Sequence, residues 1–102
     1  MPIDCSIIIV NYNVAQLLAA CLDSILASPI AINEADGKQP IVEIIVVDSA
    51  SSDNSVSMLK QHYPQVRLLA QSENVGFTQG NNIGLEAAQG RHVFLLNPDT
   101  EI

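Results

Sequence analysis

Carboxylates and carboxamides gather at three places in this 102-residue chain, each directly after a run of aliphatic residues: Asn11-Tyr12-Asn13, Asp48, and Asn97-Pro98-Asp99 with Glu101 close behind. Oxygen donors of this kind suit a hard divalent cation. Mg2+ and Mn2+ often use one or two carboxylates while phosphate oxygens complete the shell, so Asp99 or Glu101 could hold such an ion. Each position also has an ordinary alternative. Asp99 follows Pro98 as turn residues do, Asp48 could cap the helix after it, and Tyr12 could be a packed core aromatic rather than a stacking platform. Whether the fold brings the three segments together decides between these readings.

The elements that would position them can be read from periodicity. Ile7-Ile8-Ile9-Val10 is β-branched at every position and lacks polar alternation, as in a central parallel strand covered on both faces, and predicts a first strand over Ile3 to Val10. Val14, Leu17, Leu18, Cys21, Leu22, Ile25 and Leu26 recur at the spacing of an amphipathic helix, with Asn13 as N-cap and Pro29 marking the end. The stretch 28–40 carries Pro29, Asn33, Asp36, Gly37 and Pro40 without a sustained period and reads as a surface connection. Val42 to Val47 repeats the buried-strand signature and finishes at Asp48. The turn-forming run Ser49 to Ser55 then opens a second helix with Val56, Met58 and Leu59 as apolar members, which His62-Tyr63-Pro64 closes. Val66 to Ala70 is a short third strand. Asn74-Val75-Gly76-Phe77 is a turn into a third helix over Thr78 to Ala88 with Gly90 at C′, and His92 to Leu96 is the fourth strand.

The order β-α-β-α-β-α-β implies a parallel sheet with right-handed crossovers, an α/β class, Rossmann-like three-layer arrangement with helices on both faces. Ligands of such sheets bind beyond the carboxyl ends of strands, beside the topological switch point. If the first strand lies between the second and the fourth, the three polar segments converge on a shallow pocket with one aromatic ring and two carboxylates.

Composition removes several classes. Apolar residues make up 48% of the chain and charged residues 15%, which fits one packed domain and not a disordered segment. Four basic residues against eleven acidic ones give a net charge of -7, so a nucleic-acid backbone would be repelled. Cys5 falls in a predicted strand and Cys21 on an apolar helix face, so both read as small buried hydrophobes and not as a metal pair or a disulfide. No apolar run approaches the length of a spanning helix and no signal peptide opens the chain, so the expected address is cytoplasmic. Gly76, Gly80, Gly84 and Gly90 match neither phosphate-loop spacing, and read as turn, packing and capping glycines. Asn81 and Asn82 are poor helix formers inside a helix, a hint that at least one makes a specific hydrogen bond. His62 and His92 have no ligand partners at useful spacing.

Taken in order, Ser6-Ile7-Ile8-Ile9-Val10-Asn11-Tyr12-Asn13, Cys21-Leu22-x-Ser24-Ile25, Ile45-Val46-Val47-Asp48-x-Ala50-Ser51-x-Asp53, Asn74-x-Gly76-Phe77-x-x-Gly80-x-Asn82-x-Gly84 and Leu96-Asn97-Pro98-Asp99 resemble a family 2 inverting glycosyltransferase. The Asn97-Pro98-Asp99 form looks most like the rhamnosyltransferase-type branch. This resemblance implies a GT-A fold, of which residues 1–102 would be the nucleotide-sugar-binding donor half with the acceptor half absent. By it, Val10 and Tyr12 would line the nucleoside base, Asp48 would hydrogen-bond the base edge, Asn97 would stand near the ribose in place of the first aspartate of a D-x-D segment, and Asp99 would bind Mn2+ or Mg2+. Ser49, where the family often has Asn, and Asn54, where Gly is usual, depart from the pattern.

The implied chemistry is transfer of a sugar, with inversion, from a nucleotide-diphosphate sugar to an acceptor hydroxyl. That reaction needs a leaving-group stabiliser, which Asp99 with its cation would supply, and a general base. The resemblance places the base in the acceptor half, beyond Ile102, so the chain alone is expected to be inactive, and surfaces that half would cover are expected to favour self-association. The full-length protein could lie at the membrane periphery. The rival reading is a receiver-like regulatory module holding a cation at its acidic strand ends, against which no Lys follows the third or fourth strand.

Overall fold

The computed structural model describes residues 3–28, 31–32 and 41–98. Its elements run β1 (Ile3–Asn11), α1 (Ala15–Leu26), β2 (Ala31–Ile32), β3 (Ile41–Asp48), α2 (Ser55–His62), β4 (Arg67–Ala70), α3 (Gly76–Ala87) and β5 (Gly90–Leu96). All strand pairs are parallel. The sheet order is β2-β3-β1-β5, with β4 also on β3. β2 and β4 divide the outer edge of β3 between them, β2 at Ile41 and Val42 and β4 from Ile45 to Asp48. The first strand therefore lies between the second and last of the predicted ones, as the convergence of the polar segments requires.

The unbroken aliphatic runs of β1 and β3 are explained by cover on both sides. Ile7, Ile9, Val42, Ile44 and Val46 pack with Leu18, Cys21, Leu22 and Ile25 of α1 and Leu59 of α2. Ile8, Val10, Ile45 and Val47 lie on the opposite face, against Ile83 and Ala87 of α3. Successive residues point to alternate faces and each face is roofed, so no position favours a polar side chain. Each Ile or Val fully buried there is worth about 1.5–3 kcal/mol relative to exposure. The pairing Ile7–Ile44 through Val10–Val47 ends at Asn11–Asp48, which sets two polar residues side by side at the strand ends.

α3 approaches β1 closely because glycines face the sheet. A Cβ on Gly80 would stand 2.8 Å from Cγ1 of Val10, and one on Gly84 would collide with Cγ2 of Ile8. At the far end of the sheet the carboxylate of Glu43, 5% exposed, gathers the chain that enters β5. Its Oε2 accepts from the Ser6 hydroxyl at 2.6 Å and from the Gln89 amide at 2.6 Å, while Gly90 N–H donates to Ser6 Oγ at 2.8 Å. Arg67, whose guanidinium stands 4.0 Å from Glu43 Oε1, donates to the Ala87 carbonyl at the end of α3.

Several boundaries differ from the sequence reading. α3 begins at Gly76 and not Thr78, and β5 begins at Gly90. Gly90 is therefore no C′ cap: α3 leaves through Ala88 in extended geometry, and a Cβ at residue 90 would stand 2.6 Å from the Ser6 amide nitrogen. β2 lies in the stretch expected to be a surface connection; Pro29, Asn33, Asp36, Gly37 and Pro40 lie outside the described residues. Cys21 is buried and Cys5 half-buried, both free, and His62 and His92 are exposed. No helix among the described residues is long and apolar enough to cross a membrane. On β5, Val93, Phe94 and Leu95 are exposed.

Gly84→Ala separates two opposed effects. Alanine favours a helix interior by roughly 0.5–1 kcal/mol over glycine, but the collision with Ile8 brings an overpacking cost of about 1–3 kcal/mol. Net destabilisation is expected, read as a lower urea midpoint with unchanged slope.

Candidate functional site

The carboxyl ends of β1 and β3 carry a buried polar knot. Asn11 and Asp48 are 0% and 1% exposed, and buried polar groups of this kind must find partners. Asn11 Nδ2 donates to Asp48 Oδ1 at 2.9 Å and to Ser51 Oγ at 3.3 Å. Asp48 also accepts from the Ser51 hydroxyl at 2.7 Å and, through Oδ2, from the Ser51 amide at 2.9 Å. These bonds hold Ala50 between them at φ 60, a left-handed backbone that alanine adopts only under outside constraint. Asn11 Oδ1 is buried without a hydrogen-bond partner among the described residues.

From this knot the order spreads to both helices. Asn13 N–H donates to Ser51 Oγ at 3.0 Å, and Asn13 Oδ1 accepts from the amides of Ser52 at 2.7 Å and Asp53 at 3.2 Å. Asn13, at φ 54, is therefore not the N-cap of α1 that its position suggested; its side chain faces the opposite loop. The first amide of α1, Ala15 N–H, donates instead to Asp53 Oδ2 at 3.2 Å. Asp53 Oδ1 accepts from the Ser55 amide at 2.9 Å and the Ser55 hydroxyl at 2.5 Å at the start of α2. One carboxylate thus serves two helix N-termini, where peptide dipoles also favour negative charge. The partial burial of Asp53 pushes its pKa up, but the Ser55 hydroxyl and amide and the Ala15 amide outweigh this and hold it below the ordinary carboxylate value.

Beside the knot lies an open hollow of about 250 Å3 lined by Val10, Tyr12, Ser49, Asn74, Gly76 and Phe77. Val10 contributes an apolar wall against α3, while the rings of Tyr12 and Phe77 are 48% and 57% exposed. Two half-exposed rings at the rim of an apolar hollow are unusual in a packed domain and suit a planar ligand. The polar wall is rigid: the Ser49 hydroxyl donates to Asn74 Oδ1 at 2.8 Å and accepts from Val75 N–H at 2.8 Å, and Gly76 N–H donates to the same Asn74 Oδ1 at 3.0 Å.

Of the residues singled out from sequence, the structure brings Val10 and Tyr12 together in this hollow, and the exposure of Tyr12 removes the packed-core alternative. Asp48 does not reach the hollow wall. Its oxygens are committed to Asn11 and Ser51, which also corrects its reading as a cap of the second helix, whose first amide, that of Ser55, donates to Asp53 instead. Asn97 is exposed, one step beyond the Ile9–Leu96 pair and so beside Val10 at the end of β5. Asp99 and Glu101 lie outside the described residues. Among the described residues no cluster of three His, Cys, Asp or Glu side chains could hold a metal. No side-chain hydrogen bond to a described residue joins Asn81 or Asn82 to the fold; Asn81 is 7% exposed. Ser49, Asn74 and Phe77 were not singled out as site residues, although Asn74-x-Gly76 carries the signature of an Asx turn that aims a side chain.

Residues 6–102 match the family described as Glycosyl transferase family 2. The chain belongs to this family. Relatives include an uncharacterized glycosyltransferase YibD of Escherichia coli (strain K12), 33% identical over 100 residues, which covers 95% of this chain and 26% of that protein. The minor teichoic acid biosynthesis protein GgaB of Bacillus subtilis (strain 168) is 30% identical over 99 residues, 94% of this chain and 10% of that protein. The chain thus spans about a quarter or less of these two relatives. Among solved structures, S. aureus TarS 1-349 in complex with UDP superposes with a TM-score of 0.80 at 21% identity, over 95% of this chain and 28% of that one. A mannosyltransferase, PcManGT from Pyrobaculum calidifontis in complex with GDP-Man and Mn2+, gives 0.75 at 27% identity, over 97% and 30%. The parallel α/β sheet is thus that of GT-A glycosyltransferases.

Asp53 makes this hydrogen-bond network sensitive to acid. With its folded pKa below its unfolded value of about 3.9, its contribution is present above that value and is lost as pH falls through the folded pKa. Asp53→Ala is expected to cost about 1 kcal/mol at neutral pH through lost capping. The gap in melting temperature between the two proteins should shrink below about pH 4, as circular dichroism melts at several pH values would show.

Proposed function

We propose that this chain carries the donor site of an inverting glycosyltransferase that takes a sugar from a nucleotide diphosphate, within a larger enzyme of bacterial cell-wall or polysaccharide synthesis type. The observation that carries this reading is the pair of exposed rings, Tyr12 and Phe77, at the rim of the Val10 hollow at the carboxyl ends of the strands. The nucleobase lies between these rings, in the place where ligands of open parallel sheets bind. The bound nucleotides of the TarS and PcManGT structures, UDP and GDP-Man, support a nucleoside diphosphate as the handle of the donor. The motif order also supports the rhamnosyltransferase-type branch.

The position of Asn97, beside Val10 and open to solvent, supports a contact with the ribose. Asp48 serves this reading through position: it fixes the turn that presents Ser49 to the hollow, since both its oxygens are engaged. A Mn2+ or Mg2+ ion belongs to the proposal through Asp99, and PcManGT with Mn2+ supports it. Such an ion would neutralise charge on the departing diphosphate. The described residues do not by themselves form a cation site, and no step of transfer is assigned to them. They bind the nucleoside, orient it and keep water off its flat faces.

Titration calorimetry tests the reading. UDP or GDP with Mn2+ should bind the chain, and Tyr12→Ala and Phe77→Ala should each weaken that binding about tenfold, the scale of a lost base–ring contact. Unchanged affinity in both variants would remove the stacking site. A second measurement isolates the ion: Asp99→Asn should abolish the difference between titrations with and without Mn2+ while leaving nucleoside binding in place.

A further inference from the structure

We infer that two copies of this chain join edge to edge through β5, antiparallel and with Phe94 on the two-fold axis, into one continuous sheet. β5 ends the sheet: it pairs with β1 on one side and with no described strand on the other. It is seven residues long and free along that side, whereas the opposite side of the sheet is divided between β2 of two residues and β4 of four. A long strand edge presents a row of unpaired amides and carbonyls, and soluble proteins blunt such edges with lysine, proline, an inward charge or a bulge. Nothing of the kind interrupts Val93, Phe94 and Leu95, which stand exposed one after another. Val93 and Leu95 lie opposite Ser6 and Ile8 of β1 and share their face, the one on which α3 packs; Phe94 lies opposite Ile7 and shares the other face. α3 sits on β1 and β3 and leaves the β5 side chains bare.

The occupant that suits both faces at once is a second copy of the same strand. Turned antiparallel about Phe94, it sets Val93 against Leu95 twice on one face and Phe94 against Phe94 on the other, so each apolar side chain meets an apolar one. A shift of two residues in either direction would set Val93 against Asn97 or Leu95 against Arg91, both of them polar and exposed. Charge selects the same orientation. Arg91 stands where β5 begins and the sequence after the strand carries Asp99; antiparallel copies bring each beginning beside the other's end, whereas parallel copies would set Arg91 beside Arg91. Each copy has one long free edge and the pairing consumes it, so assembly closes at two.

Sedimentation velocity of the chain tests this, run in about 0.15 M salt so that the charge of -7 on each copy is screened beyond about 8 Å. The unaltered chain should pass from monomer to dimer across the micromolar range, with no larger species. Because Phe94 faces itself across the axis, Phe94→Lys and Phe94→Glu each place like charges opposite one another, and each should raise the dissociation constant about tenfold or more. An equimolar mixture of the two variants should associate again, since a lysine then meets a glutamate. Phe94 is exposed, so both variants should keep the circular dichroism spectrum of the unaltered chain. A monomer at every concentration would overturn the inference and leave the edge to a strand of different sequence. A dimer that persists in both variants would overturn it by placing the contact elsewhere, and a mixture that stays monomeric would overturn it by removing Phe94 from the axis. The donor-site reading stands apart from each of these results.

Discussion

The hydrogen bond from Asn11 to Asp48 is where the sheet ends and the site begins. Two strands whose neighbouring pairs are aliphatic finish side by side on a carboxamide and a carboxylate, both shut away from water. A carboxylate in that position must be surrounded by donors, and Ser51 supplies two more from the turn that follows β3. Everything else in the site hangs from that turn. Ser51 holds Asn13, Asn13 holds the amides of Ser52 and Asp53, and Asp53 reaches back to both helices. On its other side the same turn places Ser49 against Asn74. The hollow is thus shaped by a hydrogen-bonded network of polar groups, beside which the two rings stand exposed.

A buried network of this kind is costly to disturb at any one point, because a deletion strands donors and acceptors along its length. The opposite end of the sheet is secured in the same way, through Glu43, Ser6 and the chain entering β5. The two faces between are apolar and close-packed, with α3 drawn in by the absence of side chains at Gly80 and Gly84. The sheet is therefore a rigid mount with polar fastenings at both ends, only one of which opens onto the hollow between the rings.

The fold is legible in sequence where physics is local or periodic. Ile7 to Val10 and Ile44 to Val47 announce strands roofed on both faces, since they are short, β-branched at every position and without polar alternation, and their order with the helices implies the α/β class. β2 is not legible because two residues amid turn formers carry no period. The cap of α1 is hidden for a different reason. Asn13 has the right type and place, but the amide it should have served is met by Asp53, 38 residues further on, and nothing in a local window shows a contact of that range. Tyr12 is visible as a candidate and Phe77 is not, because a lone ring at the head of a helix reads as packing. Ser49 and Asn74 matter only through each other, and their pairing exists only once β3 and the turn before α3 are neighbours.

The central place of β1 also governs how the chain can assemble. Its partner on one side, β3, lies 37 residues away in sequence, while on the other side the bond from Gly90 to Ser6 spans 84. During synthesis β1 must wait, with one edge unpaired and aliphatic on both faces, until β5 emerges. Long-range parallel pairing of this sort is slow to form and exposed to wrong partners meanwhile. For this protein the vulnerable species is therefore the nascent chain that already holds β1 to α3 and lacks β5, and it is there that a chaperone has the most to protect.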